Sequence, residues 1–212
     1  SAIVKAAHRG AWLAVPDGMP LVYIGRACGH KNMQRCFGPD LMSALLEHSV
    51  EKGYKHFFYG GNDGVAQELK EKMELKYPGL MVVGTYTPPF RALNLQEKEE
   101  LMKMVNELKP DFFWVGLSTP KQDIFMHKYL SVLNTRILLG VGAAFDYHTD
   151  RLTPAPGWMQ TMALEWFYRL LQEPGRLWKR YVINNPLFLF HLFLQTFGLR
   201  KYNCIIDTRK GD

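Results

Sequence analysis

Short apolar runs alternate with amphipathic stretches of about a dozen residues over most of the chain, and that alternation leaves few folds open. Residues 56–59 read as a strand that runs directly into Gly60-Gly61-Asn62-Asp63-Gly64. Residues 65–76 then follow a helical pattern stopped by Pro78-Gly79. Strands are expected at 80–83, 112–115 and 136–140, and helices at 95–108 and 121–133. Further upstream, residues 11–15 read as a strand ending at Pro16-Asp17-Gly18. Gly38-Pro39-Asp40 opens a helix in which Leu41, Ala44, Leu45 and His48 share a face, and Gly53 ends it. Strand and helix in strict alternation mean βαβ units. The expected class is therefore α/β, a Rossmann-like, mostly parallel sheet with helices on both faces.

In such sheets ligands bind outside the carboxyl ends of the strands. On this reading those ends are Pro16-Asp17-Gly18, Gly60-Gly61-Asn62, Pro88-Pro89-Phe90, Leu117-Ser118-Thr119 and the turn from Ala143 to Asp146. After Thr149 the alternation stops. Residues 158–171, 176–183 and 187–197 all look helical, with no strand between them. Two domains are expected: a Rossmann-like domain over 1–150 and a helical appendage over 151–212.

Charge separates along the same line. The chain carries 26 Lys and Arg against 20 Asp and Glu, a net charge of +6. Nine basic and four acidic residues fall between 151 and 212, so the appendage holds +5 of that total. A basic appendage points to an anionic partner: nucleic acid, acidic lipid or a phosphate-bearing substrate. Hydrophobic residues at 47% and charged residues at 22% exclude a disordered tail, a fibre and a coiled coil. The three cysteines, Cys28, Cys36 and Cys204, form neither a full set of pairs nor a metal-ligand spacing, which favours a reducing compartment. No signal peptide opens the chain, and no apolar run reaches the ~18 residues of a membrane span.

Several residues at the expected strand ends carry chemistry. Gly60, Gly61 and Asn62 let a backbone approach a diphosphate at the start of a helix, where free N–H groups and a partial positive charge gather. A plain βα turn with a capping Asn uses the same residues, and the pattern is neither a full GxGxxG nor a P-loop. Asp17 suits a general base or a sugar-hydroxyl ligand; Pro-Asp-Gly is also an ordinary turn. Gln122, with donor and acceptor on one amide, suits a hydroxyl-rich ligand, or it lies in a solvated first helical turn. Asp146, expected at a strand end, binds a ligand hydroxyl, acts on a proton or caps a helix.

The appendage mixes Arg169, Arg176, Lys179 and Arg180 with Trp158, Trp166, Phe167, Tyr168, Trp178 and Tyr181. Basic and aromatic residues together fit nucleic acid, where aromatics stack bases, or a membrane interface, where Trp and Tyr sit at headgroup level. Residues 186–197 separate the two. They are almost wholly apolar, too short to span, and flanked by Lys179, Arg180, Arg200 and Lys201. An interfacial helix uses such a run; a core helix packed on the sheet is the other reading. The chain has no Asp-x-Asp pair, no HExxH, no Gly-x-Ser-x-Gly and no Cys/His metal cluster. No metal site and no cofactor are expected.

These segments, in this order, resemble the WecG/TagA/CpsF glycosyltransferase family (glycosyltransferase family 26). The matching pieces are residues 16–22 (PDGMPLV), 35–41 (RCFGPDL), 58–61 (FYGG), 84–90 (GTYTPPF), 115–122 (VGLSTPKQ), 140–146 (GVGAAFD), 155–160 (APGWMQ), 164–169 (LEWFYR) and 173–176 (EPGR). The resemblance implies a peripheral, metal-independent, inverting transferase on the cytoplasmic face of the bacterial plasma membrane. It would move a sugar from a UDP-sugar onto a polyprenyl-diphosphate-linked saccharide for teichoic acid, common antigen or exopolysaccharide. By the same resemblance Asp17 matches the catalytic base and Arg35 an arginine beside it. Gly60, Gly61, Asn62, Phe90, Gln122 and Asp146 form the expected donor site. Arg169, Arg176 and Arg180 match appendage arginines that meet the diphosphate of the lipid acceptor.

The chain departs from the family pattern in places. Residue 1 falls after the family's first strand; either the chain is a shortened piece of the protein or its sheet lacks that strand and the site its Thr/Asn-rich turn. Pro154 stands where a basic residue is common, and Asp123 where Glu is common. The partners implied are a UDP-sugar, a polyprenyl-diphosphate-linked sugar and an anionic membrane surface, without nucleic acid; a homo-oligomer stays open. Two other classes compete. A dinucleotide-dependent oxidoreductase needs a complete glycine fingerprint and an acidic residue further on. A nucleic-acid-binding module explains the charge but not residues 186–197.

Overall fold

Four strands carry the sheet: β1 (Lys55–Gly60), β2 (Met81–Tyr86), β3 (Phe112–Gly116) and β4 (Ile137–Gly140). They come from a computed structural model that describes residues 2–199. All three pairings are parallel, in the order β2-β1-β3-β4. The chain divides into two units, Ser1–Ala163 and Leu164–Asp212. The helices of the first are α1 (Ala2–Gly10), α2 (Met19–Ala27), α3 (Gly38–Lys52), α4 (Val65–Lys76), α5 (Leu95–Leu108), α6 (Lys121–Tyr129), α7 (Ala144–His148) and α8 (Gly157–Thr161). Those of the second are α9 (Glu165–Gln172) and α10 (Pro174–Thr196).

Side chains alternate across each strand, so every strand feeds two cores. Phe58 and Trp114 pack on one face with Met42 and Leu46 of α3, Leu69 and Met73 of α4, and Phe145 of α7. Phe57, Tyr59, Phe113 and Val115 pack on the other with Leu101 and Val105 of α5 and Phe125 and Tyr129 of α6. The sheet is buried on both faces, which is why its strands read as continuous apolar runs. Local signals set the helix ends. Gly53 caps α3 with φ +64°, and Asn94 and Glu97 form a reciprocal capping box at α5.

The strand expected over 11–15 is not formed. Those residues are irregular, joining α1 to α2, and Trp12 stands 97% exposed. An apolar run becomes a strand only where a neighbour receives its backbone hydrogen bonds, and no strand pairs with this one. Pro16-Asp17-Gly18 is therefore the entry to α2 rather than a strand end. Asp146 lies within α7, not at the end of β4. The helix expected over 121–133 stops at Tyr129. The span 158–171 breaks into α8 and α9, with Ala163 between them at φ +60°. Conversely, 176–183 and 187–197 join into α10, with Pro186 inside it. A proline removes one backbone hydrogen bond but its φ suits a helix, so with good helical sequence on both sides the helix continues through it.

Candidate active site at the carboxyl edge of the sheet

The strand order places a switch point between β1 and β3. The chain leaves β1 for β2 on one side and later returns to lay β3 on the other, so the connecting helices diverge there, which is where sheets of this kind form a crevice. Glycines line its floor. Gly60, at the end of β1, has φ +129°, and a Cβ there would stand 2.5 Å from the Gly116 carbonyl oxygen of β3. The Gly61 N–H donates to that same oxygen at 3.0 Å, with φ +76°. No other residue fits this backbone crossing. Asn62, Asp63 and Gly64 follow, exposed, and α4 begins without a side-chain cap. Gly60, Gly61 and Asn62 thus sit where the alternating pattern expected a ligand.

Phe90 follows β2 at the same edge and is 85% exposed. Its neighbour Arg91 forks onto Glu97, 2.7 Å to each carboxylate oxygen, and ties this segment to the first turn of α5. The Arg91 hydrogen bonds, with the Asn94 N–H behind them, hold the Glu97 carboxyl down at about 2. Gln122, in the first turn of α6, accepts from the Gly142 N–H at 2.9 Å and reaches Thr119 Oγ1 with its NH2. It bridges the loops after β3 and β4. Asp146 lies half-buried in α7, and its carbonyl accepts from Arg151 and Leu152.

Asp17 and Arg35 come together through the backbone. Arg35 Nε donates to the Asp17 carbonyl at 2.6 Å, and Cys36 N donates to Pro16 O at 2.9 Å. Arg35 stacks over Phe37 at 4.2 Å and gives its Nη1 to Gln160 Oε1 at 2.8 Å. Gln160 in turn donates to Ala155 O at 2.7 Å. The same segment reaches the sheet at Gly38, where a Cβ would be 2.9 Å from the Val141 carbonyl just beyond β4. Asp17 is exposed at the carboxyl edge, held by Arg35 although no strand delivers it. Its charge is felt nearby: burial pushes the Cys36 thiol pKa up, and the Asp17 and Asp40 carboxylates add to the rise.

Beside this cluster lies a cavity of about 330 Å³, lined by Phe37, Pro39, Asp40, Tyr147, His148, Pro154 and Gln160. None of these stood among the sequence candidates. Phe37, Pro39 and Asp40 lie in the 35–41 segment and Gln160 ends the 155–160 segment, so these carried a visible signal; that they share a wall with Tyr147, His148 and Pro154 is decided only by folding.

The arginines of the second unit form their own group. Arg169 and Arg176 both pair with Glu173, at 3.2 Å and, through Arg176 Nε, at 2.7 Å. Burial pushes the Glu173 carboxyl upward, yet hydrogen bonds and charge from the two arginines outweigh it and hold it below its usual range. Arg180 is exposed on α10. No described side chain from 178 to 199 is buried. Leu189, Phe190 and Phe197 are all more than half exposed. No described helix is long and apolar enough to cross a membrane. Among the described residues no group of three or more His, Cys, Asp or Glu is placed to hold a metal ion. Arg200, Lys201 and Cys204 lie outside the described residues.

The profile of the Glycosyl transferase WecG/TagA/CpsF family matches residues 2–202. Two similar curated proteins carry the name N-acetylglucosaminyldiphosphoundecaprenol N-acetyl-beta-D-mannosaminyltransferase. The one from Bacillus spizizenii (strain ATCC 23059 / NRRL B-14472 / W23) is 31% identical over 176 residues, 83% of this chain and 66% of its own length. The one from Bacillus subtilis (strain 168) is 31% identical over 166 residues, 78% of this chain and 62% of its own length. The chain thus matches somewhat less than two thirds of each relative.

Proposed function

The chain belongs to the WecG/TagA/CpsF glycosyltransferase family, and from that premise we propose that it transfers a sugar from a UDP-sugar to a polyprenyl-diphosphate-linked saccharide, with inversion and without a metal. The relatives' name supplies the acceptor class, an N-acetylglucosamine on a lipid diphosphate, and N-acetylmannosamine as the first donor sugar to try. The product belongs to bacterial cell-surface polysaccharide synthesis. The enzyme works peripherally, on the cytoplasmic face of the plasma membrane.

One observation carries the reading: Arg35 clamps the Asp17 carbonyl and Gln160 together at the carboxyl edge that also holds the glycine-lined crevice. In the proposed reaction the UDP-sugar lies in that crevice, its diphosphate near Gly60, Gly61 and Asn62 at the start of α4. Phe90, Gln122 and Asp146 frame the donor, Gln122 by holding the loop after β4. The Asp17 carboxylate takes the proton of the acceptor hydroxyl as that oxygen attacks the anomeric carbon. The glycosidic bond to the diphosphate breaks on the opposite face, and UDP leaves with the bonding pair. Arg35 and the helix start offset the charge that develops, which is work a metal would otherwise do. Arg169, Arg176 and Arg180 meet the acceptor's diphosphate, with Glu173 holding the first two until it arrives. The exposed apolar face of α10, with Lys179 and Arg180, lies in an anionic membrane surface.

The test is a screen of UDP-sugars against farnesyl-diphosphate-linked N-acetylglucosamine, with and without EDTA. Transfer from at least one donor, undiminished by EDTA, is the expected result. No transfer from any donor overturns the activity. Loss in EDTA reversed by Mg²⁺ or Mn²⁺ overturns the metal-free mechanism.

A further inference from the structure

We propose that the cavity between the start of α3, α7 and α8 seats the pyranose ring of the acceptor and presents its hydroxyl to Asp17; this rests on the glycosyltransferase reading above. The size of the cavity selects the guest. At about 330 Å³ it falls at the small end of ligand clefts, which run from about 300 to 1,000 Å³. A single sugar with its N-acetyl arm fits. A UDP-sugar, with three rings and a diphosphate, overfills it and belongs in the crevice between β1 and β3.

The lining suits a sugar. A pyranose has apolar C–H faces and a rim of hydroxyls, so it calls for aromatic rings and for acceptors in one plane. Phe37 and Tyr147 meet edge to face with ring centroids 5.3 Å apart, and Pro154 adds a further apolar wall. Asp40 is exposed in the first turn of α3 and offers two acceptor oxygens. His148 Nε2 lies 3.1 Å from the Pro39 carbonyl. A carbonyl only accepts, so Nε2 carries the proton, and burial keeps the ring neutral by lowering its pKa. In that tautomer Nδ1 is the ring's acceptor nitrogen.

Position ties the cavity to the chemistry. Gln160 forms part of its wall and holds Arg35, which holds Asp17. The Cys36 thiol feels both carboxylates, Asp17 and Asp40. The Gln160–Arg35–Asp17 chain thus links the cavity wall to the proposed base.

Asp40→Asn and Tyr147→Leu test this, each read in two ways with farnesyl-diphosphate-linked N-acetylglucosamine as the probe. The first reading is steady-state kinetics with each substrate varied in turn. The acceptor KM is expected to rise about tenfold, as for loss of one hydrogen bond to a charged group, while the donor KM and the melting temperature hold. The second is saturation-transfer NMR on the probe's sugar protons, which needs no turnover. Wild type is expected to show transfer, and both variants to weaken it. If wild type turns over but both variants keep its acceptor KM, the cavity assignment fails and the transferase reading stands. If wild type binds the probe's sugar and the variants lose it while no donor supports turnover, the transferase reading fails and the cavity stands. No saturation transfer to the sugar in wild type overturns the assignment directly. Should Tyr147→Leu fold poorly, Asp40→Asn at its exposed position decides alone.

Discussion

Acid should destabilise this protein through one histidine. His56 has no exposed surface and stacks against both Phe112, with ring centroids 5.2 Å apart, and Trp114, at 6.0 Å. Trp114 Nε1 donates to His56 Nδ1 at 3.0 Å, so Nδ1 is unprotonated and the ring's proton sits on Nε2. Nε2 finds no partner among the described residues. Charging this ring would put a cation in the core and break the Trp114 bond. Burial accordingly pushes its pKa from 6.5 to about 4, against a smaller upward pull from Asp111. The folded value lies below the unfolded one, so on acidification the unfolded chain takes the proton first. The stability is fully present above the unfolded pKa of about 6.5 and is lost as pH falls toward 4. At about 1.4 kcal/mol per pH unit of separation, the loss amounts to about 3 kcal/mol.

His56→Leu removes the titration and keeps the buried volume similar. It also leaves the Trp114 N–H without its acceptor, which costs about 1–3 kcal/mol at neutral pH. The variant should therefore be less stable than wild type near pH 7, and the gap should close by about 3 kcal/mol as pH falls to about 4. Urea unfolding followed by far-UV circular dichroism, run on both proteins across that range, measures the gap directly. Every other titrating group cancels in the difference. A gap that stays constant with pH would refute the reasoning, because the histidine would then titrate alike in the folded and unfolded chains.

Asp17→Asn keeps the size and the backbone carbonyl that Arg35 grips, so folding and donor affinity should persist while turnover falls ~10²–10⁴-fold; a variant retaining most of the wild-type rate removes Asp17 from the role of base. A chain ending at Asn185 should keep its melting temperature, since no described side chain beyond Trp178 is buried. It should lose co-sedimentation with phosphatidylglycerol vesicles yet still use the farnesyl acceptor. A sharply lowered melting temperature, with a full-length parent that never binds vesicles, would sink the anchoring role.

Much of the first unit was legible in the residues because its elements carry their own punctuation. The spans 65–76 and 95–108 coincide with α4 and α5, whose ends are set by a glycine turn, a capping box and prolines, all local signals. The glycines at 60 and 61 marked the close crossing of β1 and β3 for a similar reason: a backbone crossing that excludes a Cβ leaves its trace in the sequence. Residues 11–15 show the limit. They are as apolar as a strand, but a strand exists only by its partner, and the sheet has none to offer there. Pro186 shows it from the other side, since whether a proline ends a helix or sits within it depends on what continues beyond. The candidate site divides the same way. Asp17 and Arg35 could be named from their segments, but the Gln160 bridge between α8 and the Asp17 loop could not. Nor could the cavity, whose walls come from residues 37–40 and 147–160, more than a hundred positions apart. Short-range chemistry is written in neighbouring residues. A cavity wall and a long-range hydrogen bond are decided only when the sheet's packing brings distant segments to one edge.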